Sequence, residues 1–229
     1  HASIVSVPEF LPHFGGPLLR AEIENISKAF NPKKPFVFIL GGAKFDTKLP
    51  LIEKYLDRAD TVFVCGALAH NVYKEKGFEV GKSLVSEGDF GIKEKLQNPK
   101  FVVPVDITAV KMNGDVSFKK PEEVEKGEVI VDAGPETIKQ LKEILKNAQT
   151  VVWNGPLGNY EIGFGDKTEQ LAEVMSQISA DTIVGGGDTI ASINKLGLSE
   201  KFTFVSTGGG AMLDFLVNET LPGIEALEK

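Results

Sequence analysis

The sequence predicts an α/β protein built on an open, mainly parallel sheet with helices on both faces. Two observations carry this. Apolar, β-rich runs recur along the chain, and each passes through glycine or small polar residues into a helical pattern. The residues able to do chemistry fall at the C-terminal ends of these runs, which in a parallel sheet share one edge where ligands bind.

The runs are Phe36 to Leu40, Thr61 to Val64, Phe101 to Val105, Val129 to Val131, Thr150 to Trp153, Thr182 to Val184 and Phe202 to Val205. Six or seven such units make a doubly wound, Rossmann-like three-layer sandwich with a six-stranded, mainly parallel sheet. Before them, His1 to Phe14 is apolar and broken by Pro8 and Pro12, so residues 1–16 read as a connector from an amino-terminal domain outside this chain. The absence of a starting Met fits a piece of something longer. Leu18, Leu19, Ile23, Ile26, Ala29 and Phe30 follow helical spacing until Pro32, which makes residues 17–32 a linking helix. Residues 33–218 form the α/β domain, and 219–229 an apolar tail expected to dock, the amino-terminal connector being one candidate surface.

The first glycine turn, Gly41-Gly42-Ala43-Lys44, precedes a helix that Asp46 or Thr47 can cap. Lys44 and Lys48 then lie on one face near its positive end, an unfavourable pairing unless a polyphosphate sits between them. In Gly185-Gly186-Gly187-Asp188-Thr189 a strand turns sharply into a helix, which presents backbone N–H groups to an anion and a carboxylate to Mg²⁺. Thr207-Gly208-Gly209-Gly210 is a third such turn. Asn154 and Glu161 place an amide and a carboxylate on the same edge, suited to phosphoryl oxygens and ribose hydroxyls. His70 and Tyr73 read as partly exposed helix residues without a catalytic role, and Cys65 as a small core residue. Lys111 to Phe118 alternates around Asn113-Gly114, a hairpin leaving the main sheet.

A net charge of -7 offers no basic footprint for nucleic acid or an anionic membrane surface, and one cysteine excludes an internal disulfide. No apolar run reaches transmembrane length, so a cytoplasmic location is the expectation.

The ordered set Gly41-Gly42-Ala43-Lys44 with Lys48, Gly81-Lys82-Ser83-Leu84, Trp153-Asn154-Gly155-Pro156 with Glu161, Gly185-Gly186-Gly187-Asp188-Thr189 and Ser206-Thr207-Gly208-Gly209-Gly210-Ala211 closely resembles the phosphoglycerate kinase family. The closing Leu221-Pro222-Gly223-Ile224 fits as well. The match is to that family's carboxy-terminal, nucleotide-binding half plus its linking helix. The resemblance implies reversible phosphoryl transfer between Mg-ATP and 3-phosphoglycerate, or from 1,3-bisphosphoglycerate to Mg-ADP, in glycolysis by a monomer. It assigns Lys48 and the Gly208, Gly209, Gly210 turn to the transferring phosphoryl group and Lys44 to nucleotide phosphates. Gly41, Gly42, Asn154, Gly185, Gly186, Gly187 and Thr189 surround those phosphates, Asp188 holds Mg²⁺, Glu161 takes the ribose, and Gly66, Leu84 and Val131 border the adenine. The family pattern is not followed at Phe45-Asp46, at Cys65, where glycine is common, or at Asn159-Tyr160. The basic patch for the acid substrate is also missing, since Arg20 and Arg58 are the only arginines. The chain alone is therefore expected to bind nucleotide with little or no turnover. Two alternatives are a non-catalytic nucleotide-binding module and an NAD-dependent dehydrogenase, although the latter lacks a G-x-G-x-x-G after the first strand.

Overall fold

In the computed structural model, which describes residues 1–228, the chain opens with α1 (Ala2–Val5) and α2 (Pro17–Ile26). Strand β1 (Phe36–Leu40) leads to α3 (Phe45–Arg58), and β2 (Thr61–Val64) to α4 (Ala67–Glu75). After α5 (Ile92–Lys95) come β3 (Phe101–Val102), β4 (Ile107–Val110), β5 (Val116–Lys119) and β6 (Val129–Ala133). The chain continues through α6 (Pro135–Leu145), β7 (Thr150–Asn154), α7 (Asp166–Met175), β8 (Asp181–Gly185) and α8 (Gly187–Lys195). It closes with β9 (Phe204–Val205), α9 (Gly210–Asn218) and α10 (Pro222–Glu225).

Six strands form one sheet in the order β3-β2-β1-β7-β8-β9, with every neighbouring pair parallel. The chain steps outward from β1 to β3, then returns to β7 on the other side of β1 and steps outward again. The order therefore reverses between β1 and β7, the place where a doubly wound sheet opens a crevice beyond its strand ends. Strand periodicity builds the layers. Phe36, Phe38, Leu40, Val62, Val64, Val152 and Ile183 point to one face, covered by Ile26 of α2, Leu51, Ile52 and Tyr55 of α3, and Phe215 and Leu216 of α9. Val37, Ile39, Phe63, Val151, Trp153 and Val184 point to the other, under Leu141 of α6, Leu171 and Met175 of α7, and Ile193 of α8. Because both faces are covered, β1 is buried along its whole length and reads as a continuous apolar run.

The Val129 run does not join the parallel sheet. As β6 it pairs antiparallel with β4 in a separate sheet of order β5-β4-β6. Parallel pairing needs a crossover element of a dozen or more residues. Between β4 and β6 the sequence supplies only the Asn113-Gly114 hairpin and a short 3₁₀ turn at Pro121–Glu123. The predicted hairpin thus forms, and it carries β6 with it. The Phe101 run is also shorter than expected, ending at Val102 two residues before Pro104, which has no N–H for a sheet ladder. A third core of Ala69, Tyr73, Val80, Ile107, Ala109, Val124 and Ile130 joins the small sheet to α4. Glu128, at the end of an acidic stretch, is only 1 % exposed, and both of its carboxylate oxygens accept from Lys119 Nζ, at 2.8 and 2.9 Å.

At the other end of the molecule the tail docks as expected. α10 packs on α1, and Leu221 and Ile224 pack against the first core. Among the described residues, no helix is long and apolar enough to cross a membrane.

Candidate functional site

A cavity of about 440 Å³ lies beyond the C-terminal edge of the parallel sheet, closed on its far side by the small antiparallel sheet. Of the residues singled out in the sequence, Gly42, Gly66, Leu84, Val131, Glu161 and Asp188 line it. The strand ends explain how they meet. Gly41 and Gly42 follow β1, Gly66 follows β2, Asn154 ends β7, and Gly185 to Asp188 join β8 to α8.

The rim is made of backbone in close contact. A Cβ on Gly41 would collide with the Pro156 carbonyl and come within 2.7 Å of the Gly155 carbonyl oxygen. Gly155, with φ +95, faces Gly41 in return. No side chain fits where β1 and β7 deliver their loops against each other, so glycine is required on both sides.

Lys48 projects from the first turns of α3 and donates from Nζ to Asn154 Oδ1 at 3.1 Å. Burial pushes its ammonium down to about 8 from the ordinary 10.5. Lys44 stands at the N-cap of α3, exposed and outside the cavity lining. The helix begins earlier than the expected cap at Asp46 or Thr47. Phe45 is fully buried against Phe90, with ring centroids 4.9 Å apart, and its N–H donates to Ser86 Oγ at 3.0 Å. An acceptor from a distant loop thus satisfies one of the free N–H groups of the helix start. The residue that breaks the family pattern here is the anchor of the turn.

Thr189 lies behind the third glycine of its turn. Its hydroxyl is sealed from solvent and has no hydrogen-bond partner among the described residues. Gly208 to Gly210 sit at the end of β9, outside the cavity lining, and the helix they open meets the ends of β7 and β8 through Met212. The Met212 Sδ lies 3.8 Å from Asn154 Nδ2 and occupies the space that a Cβ on Gly185 would take. The loop is held by a residue that no motif marks. Glu22 of α2 accepts from Ser206 Oγ at 2.6 Å and from Thr207 N–H at 2.8 Å. It sits on the polar side of an amphipathic helix like any solvated glutamate, and only tertiary structure distinguishes it.

Three further lining residues were missed or misjudged. Contrary to the expectation of partial exposure, His70 and Tyr73 are buried, because the small sheet covers α4; Tyr73 Oη donates to Pro104 O at 3.0 Å. Asp132 is 5 % exposed and accepts from Ala133 N–H at 2.8 Å and Lys167 N–H at 3.1 Å. Burial raises its carboxyl to about 7, against the pull of those bonds. Cys65 is buried as expected, and burial pushes its thiol well up, away from reactivity.

Fold and site together define a doubly wound α/β protein with a crevice at its switch point, lined by glycine turns and by Lys82, Asp132 and Asp188. Residues 1–219 match the family described as Phosphoglycerate kinase. The chain belongs to the phosphoglycerate kinase family. It is 37 % identical over 240 aligned positions to phosphoglycerate kinase of Dictyoglomus turgidum, covering all of this chain and 61 % of the relative. It is 40 % identical over 239 positions to that of Pseudothermotoga lettingae, covering 99 % of this chain and 60 % of the relative. Among solved structures, the enzyme from Coxiella burnetii superposes with a TM-score of 0.88 at 36 % identity, covering 99 % of this chain and 61 % of that one. The Pyrococcus horikoshii enzyme gives 0.83 at 31 % identity, covering 99 % and 60 %. The chain thus spans about three fifths of the length of the relatives it matches.

Proposed function

We propose that this chain is the nucleotide-binding part of a phosphoglycerate kinase, taking part in reversible phosphoryl transfer between Mg-ATP and 3-phosphoglycerate. The acid substrate would be held by sequence outside these residues. The observation that carries the reading is the cavity at the switch point, lined by Gly42, Gly66 and Asp188, with the hydrogen bond from Lys48 of α3 to Asn154 at the end of β7 lying beside Gly42.

Phosphoryl transfer asks for positioning and charge stabilisation more than covalent help from the protein. The nucleotide base would lie between Gly66, Leu84 and Val131, with the ribose near Glu161. Its phosphates would meet Gly41 and Gly42, the N-terminus of α8 at Gly186 and Gly187, and Lys44 at the outer rim. Lys48, released from Asn154, would face the transferring group, with Asn154 as a second donor. The N-terminus of α9 at Gly208 to Gly210 would support the same group from across the crevice.

The donor set fits Mg²⁺ carried in by a nucleotide. Mg²⁺ keeps most of its waters and takes one or two carboxylates beside phosphate oxygens. Asp188 is one such carboxylate on the cavity wall, and Thr189, whose hydroxyl has no hydrogen-bond partner among the described residues, follows it in the chain. Among the described residues no group of three or more His, Cys, Asp or Glu is arranged to hold a metal alone. When bound, Mg²⁺ would offset phosphate charge.

Residues 17–32 would link this part to the remainder of the enzyme, with Glu22 tying the linking helix to the Gly208 loop. Phe10, Leu11, Phe14 and Leu18 are 80, 60, 90 and 82 % exposed, an apolar strip that the remaining sequence would cover. Calorimetric titration with Mg-ADP tests the reading. Saturable binding is expected, weakened at least about tenfold in Lys48→Ala and in Asp188→Ala, each of which loses a charge-assisted contact. Unchanged binding in both variants would remove the assignment. A coupled assay should show little or no turnover by the 229 residues alone.

A further inference from the structure

We infer that His70 selects the nucleotide base, its Nε2 accepting a hydrogen bond from the exocyclic amino group of a 6-aminopurine and disfavouring a 6-oxopurine. The inference rests on the nucleotide reading above and deepens it.

His70 belongs to α4, lines the cavity beside Gly66, Leu84 and Val131, and is 7 % exposed. Its Nδ1 lies 2.8 Å from the Leu84 carbonyl oxygen. A carbonyl can only accept, so Nδ1 carries the proton and donates. In a neutral ring this leaves Nε2 with a bare lone pair. Burial keeps the ring neutral, pushing the imidazolium down to about 4 from 6.5 even though the Leu84 bond pulls the other way. Among the described residues Nε2 has no hydrogen-bond partner, and it is not among the polar atoms sealed from solvent. The ring therefore offers one fixed acceptor on the cavity wall, and the same Leu84 that borders the base region locks its tautomer.

An acceptor there discriminates by sign. The 6-amino group of adenine donates toward it, whereas the 6-oxo group of hypoxanthine or guanine meets it lone pair to lone pair. Among the described residues, the one lysine or arginine on the lining is Lys82, which is exposed, with its Nζ 3.6 Å from Met112 Sδ.

Mg-ADP and Mg-IDP differ in the purine only at position 6 and the proton on the adjacent N1, which makes them the probes. Titrated into the 229-residue chain, Mg-ADP should bind about five- to tenfold more tightly than Mg-IDP. In His70→Phe the two affinities should converge, with Mg-IDP binding retained. A preference that survives in His70→Phe, or none in the unaltered chain, overturns the inference while leaving nucleotide binding intact. Failure of both nucleotides to bind the unaltered chain overturns the parent reading as well. Should His70→Phe fold poorly, ¹⁵N spectra of the unaltered chain decide the question. Nε2 should resonate as an unprotonated nitrogen and move upfield on adding Mg-ADP but not Mg-IDP; equal movement with both, or none with Mg-ADP, overturns the inference.

Discussion

The rim of the cavity, at the C-terminal edge of the parallel sheet, is made of backbone, whereas the wall facing it is made of side chains held out by a small antiparallel sheet. At the rim Gly41, Gly155 and Pro156 touch through main-chain atoms and leave no room for a Cβ. On the wall, Tyr73, Ile107, Ile130 and Val131 present apolar surface, and behind them a buried ion pair joins Glu128 to Lys119. On the proposed reading, a backbone rim would fix where an anion can sit, because its donors cannot change rotamer. A side-chain wall would set which base fits, and could change without disturbing the rim. The two should therefore break in different ways.

The largest effect is expected at the wall's support. Glu128→Ala leaves the Lys119 ammonium, only 14 % exposed, without its main partner, and breaking such a pair costs about 3–5 kcal/mol. Burial alone would raise the Glu128 carboxyl, but Lys119 and the Glu125 N–H hold it below its usual range, so the pair is formed at neutral pH. Urea denaturation should show the loss in the midpoint. A change under about 1 kcal/mol would mean that solvent reaches this pair and the wall does not depend on it.

Next comes the rim itself. Gly41→Ala forces apart the ends of β1 and β7 and should cost about 1–3 kcal/mol, with weaker Mg-ADP binding. Gly187→Ala is the internal contrast, since nothing lies within 4 Å of an added Cβ and no positive φ is required. It should leave stability within about 0.5 kcal/mol or improve it through helix propensity. Equal destabilisation by both would dissolve the distinction between a rim of tight contact and one of ordinary turns.

The difference between rim and wall also decides what could be read from the sequence. Glycine turns after apolar runs declare themselves locally, and so the parallel strands β1, β2, β7 and β8 and the turns that follow them were legible. The wall was not. Whether Val129 to Ala133 joins the parallel sheet depends on the absence of a crossover helix twenty residues earlier, and the burial of His70 and Glu128 depends on where that misassigned strand goes. Glu22 was illegible for a similar reason, because its partners Ser206 and Thr207 are more than 180 residues away in the chain. The early start of α3 could have been suspected, since Phe45 is too apolar to leave in a solvated turn.

Lys48 gives a pH signature that sets in above pH 8, beyond the titration of the lining residue Asp132 at about 7. Its folded-state value of about 8 lies below the ordinary 10.5, so the folded chain without nucleotide favours the neutral amine. Stability from this group is present above the ordinary value and is lost as pH falls through 8. Bound phosphate favours the ammonium, so Mg-ADP affinity should fall as pH rises above about 8, by up to about tenfold per unit, while stability without nucleotide moves the opposite way. Binding titrations and denaturation between pH 7 and 10 check both signs, and Lys48→Arg should flatten both curves. Parallel slopes would show that Lys48 does not face the phosphates.

The smallest effect is expected at Leu84, on the wall. Its side chain is 60 % exposed and lines the cavity, while its carbonyl accepts from His70 Nδ1. Leu84→Ala keeps that carbonyl and removes little buried area, so stability should stay within about 0.5 kcal/mol. A bound base would cover the leucine methyls, and losing them should weaken Mg-ADP and Mg-IDP alike, by about three- to tenfold. A wall that acts through shape at Leu84 and through hydrogen-bond sign at His70 should thus separate the two variants: Leu84→Ala lowers both affinities and preserves their ratio, whereas His70→Phe changes the ratio. If Leu84→Ala changed the ratio too, the tautomer of His70 would depend on packing as well as on the carbonyl, and shape and sign would be one property of the wall.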